Sequence, residues 1–195
     1  MPHTFEPVHT ALLSMDLQTG IVPIYLKEQS APFLARTAQT IDRARASGMK
    51  VIHVRVGFRP GLPEVGTRNP LFAAVKQSVQ HQRLFAGPTG EIHPAVAPQE
   101  GDIVVMKHRV SAFSGTELDL ILRANDITDL VLFGIATSGV VLSTVLQASD
   151  ADYRLVVVSD CCADLDQDLH SCLLTKLLPG RATVLSSAEF LESVA

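Results

Sequence analysis

Two charged residues stand where apolar runs stop. Thr10-Ala-Leu-Leu-Ser-Met15 is followed by Asp16, with Gln18 and Gly20 behind it, and Asp102-Ile-Val-Val-Met-Lys107 closes on a lysine. A carboxylate at the end of a strand is placed to give or take a proton, and an ammonium beside it favours its charged form. The third feature is the turn Gly134-Ile-Ala-Thr-Ser-Gly139, between the apolar run Leu130 to Phe133 and a second run from Val140 to Ala148. Amides at the start of a helix cradle an anion or an oxyanion, here those of Ala136 and Val140. A nucleophile is expected at such a turn, yet it offers Thr137 and Ser138, then Val140 and Val141. Ser138 is a poor substitute, because the turn does not fit the G-x-S-x-G elbow and no histidine is close in sequence. Asp16 alone fits equally a loop-capping carboxylate that satisfies backbone amides. Lys107 is harder to set aside: burying an ammonium costs several kcal/mol unless a carboxylate answers it, and Asp16 is expected on a neighbouring strand end.

The elements that must carry these residues alternate. Strands are predicted over 10–15, 51–56, 102–107, 130–133, 153–159 and 182–185, and helices over 33–47, 71–79, 117–124, 140–148 and 166–178, with a terminal helix capped by Ser186-Ser-Ala-Glu189. A second capping box, Ser114-Gly-Thr-Glu117, is expected to open the helix over 117–124. The helix over 140–148 has too many apolar side chains for one stripe and should be buried almost all round. Alternating strands and helices predict an α/β fold of three layers, a parallel sheet of about six strands with helices on both faces. Ligands of such sheets bind outside the carboxyl ends of the strands. His53 and Arg55 share a strand face that could meet a polar site, though a satisfied core histidine is the simpler role for His53. The stretch 57–99, rich in Gly and Pro, is too long for a plain connector and should line or cover a site. Arg55, Arg59, Arg68 and Asn69 are candidate substrate contacts there, each weighed against a merely solvated role.

With 195 residues, 47% of them hydrophobic, the chain suits one domain over 1–195, without repeat, linker or low-complexity tract. A net charge of -4 argues against a nucleic-acid partner. No apolar run approaches the roughly 20 residues that span a bilayer, and the N-terminus lacks a signal-peptide pattern, so neither a membrane partner nor export is expected. Cys161, Cys162 and Cys172 lack framework spacing and read as reduced thiols of a cytoplasmic protein.

The strand ending in Asp16 with Gln18, the segment Lys107-His-Arg-Val-Ser-Ala-Phe-Ser-Gly-Thr-Glu-Leu118, the stretch from Gly134-Ile-Ala-Thr137 through Leu142-Ser-Thr144, and Val158-Ser-Asp160 with Ala163-Asp164 together resemble the isochorismatase-like hydrolases. These are a cysteine hydrolase superfamily that includes nicotinamidases and related amidases, and the resemblance covers nearly the whole chain. It implies a triad in which an Asp takes a thiol proton, a Lys stabilises the charged species and helix-start amides hold the oxyanion. Asp16 and Lys107 match, while the cysteine position falls on Val140. The metal site of the nicotinamidase branch, an Asp-x-His pair with a further His, meets His53-Val-Arg55 instead, so neither a metal nor another cofactor is implied. Isochorismatases proper also lack the thiol and cleave a vinyl ether with the Asp as general acid. The resemblance therefore implies Asp/Lys hydrolysis of a small, anionic metabolite, with Gln18, Arg55, Arg109, Phe113, Thr137 and Ser138 as substrate contacts. Its competitor is an inactive family member that binds a small molecule or regulates. A nucleotide-binding role is weak, since no G-x-G-x-x-G follows the first strand. Composition and resemblance also suggest a homodimer or a larger closed oligomer.

Overall fold

Thr10–Met15 (β1), Lys50–Val56 (β2), Ile103–Lys107 (β3), Asp129–Gly134 (β4), Arg154–Val158 (β5) and Thr183–Leu185 (β6) pair into one sheet of order β3-β2-β1-β4-β5-β6, every neighbouring pair parallel. This computed structural model describes residues 5–194. β1 and β4 are buried at every position, as expected of central strands covered on both faces by helices. β3 is an edge strand, which is why Val104 and Met106 stay exposed although its sequence looks uniformly apolar. Asp102 falls just outside it, and its carboxylate takes Arg45 at 2.7 Å and His53 Nε2 at 3.2 Å.

The chain leaves β1 towards β2 on one side and β4 towards β5 on the other, so the strand order reverses between β1 and β4. Open α/β sheets place a ligand crevice at that reversal. Gly134 ends β4 opposite Met15 of β1 with φ +156°. A Cβ there would lie 2.2 Å from the Met15 carbonyl oxygen, so the close approach of the two strand ends depends on glycine. Gly134→Ala is expected to cost about 2–3 kcal/mol in urea unfolding, from a forbidden conformation and a backbone clash together. A loss under about 0.5 kcal/mol would show that the strand ends part easily.

Three sequence expectations about helices change. After a π-type turn at Thr137–Val141, the helix Leu142–Asp150 buries Thr144, Val145 and Ala148 but exposes Leu146 and Gln147, so it is amphipathic and not enclosed. Ser114 does not cap Leu118–Ala124; the Leu118 amide donates to Thr116 Oγ1 at 3.3 Å instead. The terminal box at Ser186 and Glu189 does form, opening Ser187–Ser193. In the long segment after β2, Asn69 caps Pro70–Gln77 and Ser78 caps Val79–Leu84, giving two short helices where one was expected.

Candidate active site

Asp16 begins where β1 ends, in the left-handed region at φ +58°, with its amide donating to the Val54 carbonyl at 2.8 Å. Asx side chains tolerate this conformation better than most. Lys107 comes from β3, and β2 intervenes between its strand and that of Asp16. The two are therefore not on neighbouring strands: the lysine reaches across the end of β2 to bring Nζ 2.8 Å from Asp16 Oδ2, and it also donates to the Arg109 carbonyl at 3.1 Å. Both side chains are buried, with 3% of Lys107 and 8% of Asp16 exposed. Asp16 Oδ1 is buried without a hydrogen-bond partner among the described residues. Burial raises the Asp16 pKa above the ordinary carboxylate value, and the charge and hydrogen bond of Lys107 oppose the rise without cancelling it.

The turn after β4 is held by its neighbours across β5. The Thr137 amide donates to the Ala163 carbonyl at 2.9 Å, and Thr137 Oγ1 lies 2.8 Å from His170 Nδ1. The Ser138 amide donates to Asp164 Oδ2 at 2.7 Å, while Oδ1 of the same carboxylate accepts from the Leu165 amide at 2.8 Å. Asp164 therefore already fills the amide that a bound anion would seek at Ser138. The peptide bond between Ile135 and Ala136 is cis.

A cavity of about 490 Å³ opens over Asp16 and Lys107, with Ala136, Ser138, Gly139 and Val140 on its turn side. This volume suits a small organic molecule. Its remaining wall is mostly apolar: Ile21, Ile24 and Tyr25 after β1, and Phe58, Phe72 and Phe85 from the segment after β2. None of the three cysteines borders it. Cys161 and Cys162 are buried elsewhere, with burial pushing the Cys161 thiol up to about 11 and Cys162 upward as well, and Cys172 is exposed. Thiols so raised stay protonated at neutral pH and are poor nucleophiles.

Of the residues singled out in the sequence, the fold brings Asp16, Lys107, Arg109, Ala136, Ser138 and Val140 to the cavity wall. Others act as struts outside it. Gln18 donates to the Val56 and Gly90 carbonyls at 2.9 and 2.7 Å and accepts from the Val56 amide at 2.8 Å, tying the end of β2 to the loop behind. Arg55 pairs with Glu91 at 2.8 Å, and Arg59 pairs with Glu64. Phe113 packs against Tyr153, and Thr137 is fully buried. Neither Arg68 nor Asn69 lines the cavity, and Asn69 serves as a helix cap. Tyr25, His81 and the three phenylalanines carried no signal in the sequence, and Asp164 stood there only within Ala163-Asp164, without a role of its own. His53 is a core histidine held on its Nε2 side by Asp102, with Nδ1 buried and unpartnered among the described residues. Among the described residues no cluster of three or more His, Cys, Asp or Glu side chains could hold a metal ion, and no helix is long and apolar enough to cross a membrane.

The isochorismatase domain model matches residues 10–189. The isochorismatase family protein YwoC of Bacillus subtilis is 32% identical over 192 residues, covering 95% of this chain and 94% of its own. The ureidoacrylate amidohydrolase RutB of Methylorubrum extorquens is 33% identical over 177 residues, covering 82% and 71%. The solved structure of an isochorismatase family protein from Burkholderia thailandensis superposes with a TM-score of 0.81 at 32% identity, covering 98% of this chain and 97% of that one. A match along almost the entire chain, on a sheet that puts a buried Asp–Lys pair at its reversal point, leaves one conclusion: the chain belongs to the isochorismatase family of hydrolases.

Proposed function

We propose that this chain hydrolyses a small molecule with Asp16 as the proton-transferring group and without a cysteine nucleophile, Val140 standing where the family's thiol would be. The observation that carries the proposal is Asp16 itself, buried at the cavity, held by Lys107 through one oxygen and unpartnered at the other. A carboxyl with a raised pKa is fitted to act as an acid. For an enol ether, the protonated Asp16 carboxyl gives its proton to the terminal vinyl carbon, producing an oxocarbenium ion and a carboxylate held by Lys107. Water adds to the cation and returns a proton to Asp16, and the resulting hemiketal collapses to an alcohol and a carbonyl compound. For an ester or amide, whose carbonyl oxygen gains negative charge as water adds, the amides of Ala136 and Val140 on the turn side of the cavity would donate to that oxygen. RutB, named for amide hydrolysis, adds amides and ureido compounds to the substrates worth testing.

The test is turnover of a panel of enol ethers, small esters and amides before and after iodoacetamide treatment. Activity should survive alkylation and fall in Asp16→Asn. Activity lost to alkylation, or equal in both proteins, would contradict the assignment. A second proposal, a non-catalytic member that binds a small molecule or regulates, is favoured by the absence of any thiol on the cavity wall. It requires ligand-induced thermal stabilisation with no product formed.

We also propose a homodimer or larger closed oligomer, supported by the exposed Val104, Met106 and Leu120. Light scattering that gave only a monomer-sized species would contradict it. A cytoplasmic setting is supported by three cysteines that are all free.

A further inference from the structure

Each cation near the cavity is already committed. Lys107 answers Asp16, Arg55 answers Glu91 and Arg59 answers Glu64. Arg109 is the one arginine on the wall; it donates to the His108 and Glu64 carbonyls at 2.6 and 2.9 Å and lies 5.2 Å over the Phe72 ring. His81, at the same wall, has Nδ1 3.4 Å from the Ala74 carbonyl. Asp164 occupies the Ser138 amide. Burial first, and then Asp164 and Asp16, raise the pKa of the Tyr25 hydroxyl, so it stays uncharged at neutral pH. An anion entering here would shed its water with Lys107 already answered by Asp16 and with Arg109 turned onto two carbonyls and a ring, a costly transfer.

Apolar recognition is well developed by contrast. Phe58 meets Phe72 edge-to-face at 6.1 Å and Phe85 edge-to-face at 5.7 Å, so the three rings form one aromatic wall of the cavity. A flat, apolar group can join such a cluster by offset stacking or edge-to-face contact. We infer that the cavity takes a small uncharged molecule with a flat apolar body, seated on Phe58, Phe72 and Phe85 with its reacting bond against Asp16. Of the arginines the sequence offers to an anionic substrate, Arg55 and Arg59 are paired with Glu91 and Glu64, and Arg109 stands on the wall held by two backbone carbonyls.

The inference rests on the cavity being the reaction site, and binding tests it separately from turnover. Calorimetric titration of the whole chain at pH 7 with acetophenone, benzamide and the isosteric anion benzoate should give binding of both neutral rings. Benzoate should bind at least 10-fold more weakly, and Phe58→Ala should weaken acetophenone at least 5-fold; Phe85→Leu serves if Phe58→Ala does not fold. Benzoate binding as tightly as acetophenone, no binding of either neutral ring, or affinity indifferent to the aromatic wall would overturn the inference. Neutral-ring binding with no turnover of any enol ether, ester or amide would retain it and remove the proposed hydrolysis. Turnover with benzoate binding the tighter would do the reverse.

Discussion

Lys107→Met is expected to lose about 3–5 kcal/mol of folding stability at pH 8, because it leaves the buried Asp16 carboxylate without its ion-pair partner. The loss should shrink as the pH is lowered. Asp16 has a folded-state pKa already raised by burial, and removal of the lysine raises it further. A carboxyl of that kind supports the fold most fully below its unfolded pKa, where it is protonated in both states, and the support is lost as pH rises through the folded value. Urea unfolding at pH 5 and pH 8 reads the difference directly. In the double variant Asp16→Leu/Lys107→Met, most of the stability should return, since replacing both ions with apolar groups removes two desolvation costs together. A single variant as stable as the parent at pH 8 would mean that the pair is reached by water.

Asp16→Asn has the largest expected effect on rate. Loss of a general acid costs about 10²–10⁴-fold, and the asparagine keeps an oxygen towards Lys107, so the pocket should persist while the proton is gone. The variant should therefore bind neutral ligands nearly as the parent does and fail at turnover. A merely positional Asp16 would show the opposite pattern, with binding damaged and the pH dependence of the remaining rate unchanged.

Much of this geometry was legible in the chain. The limits of β1 coincide with its apolar run, and the runs ending before Asp16 and at Lys107 put both residues at strand ends. Alternating strands and helices implied the parallel sheet, and the small-residue turn marked the reversal point. The rest depends on long-range packing that no local pattern encodes. The order of strands determines that Lys107 must reach over β2. The edge position of β3 exposes Val104 and Met106, which the sequence cannot distinguish from buried Val105. Polar residues near a strand end look alike before folding. Gln18 and Arg55 become struts for the loop at Gly90 and Glu91, whereas Asp16 is left with an unsatisfied oxygen. Phe58, Phe72 and Phe85 carry no shared spacing, and two short helices bring them onto one wall.

The most direct test is kcat/KM as a function of pH, measured side by side for the parent and Asp16→Asn on whichever substrate of the panel is turned over. If a protonated Asp16 delivers the proton, the parent's log kcat/KM falls with a slope of about -1 once the pH passes a value above the ordinary carboxylate range, and Asp16→Asn is slow with no such fall. Parallel profiles of equal height for the two proteins would contradict the account.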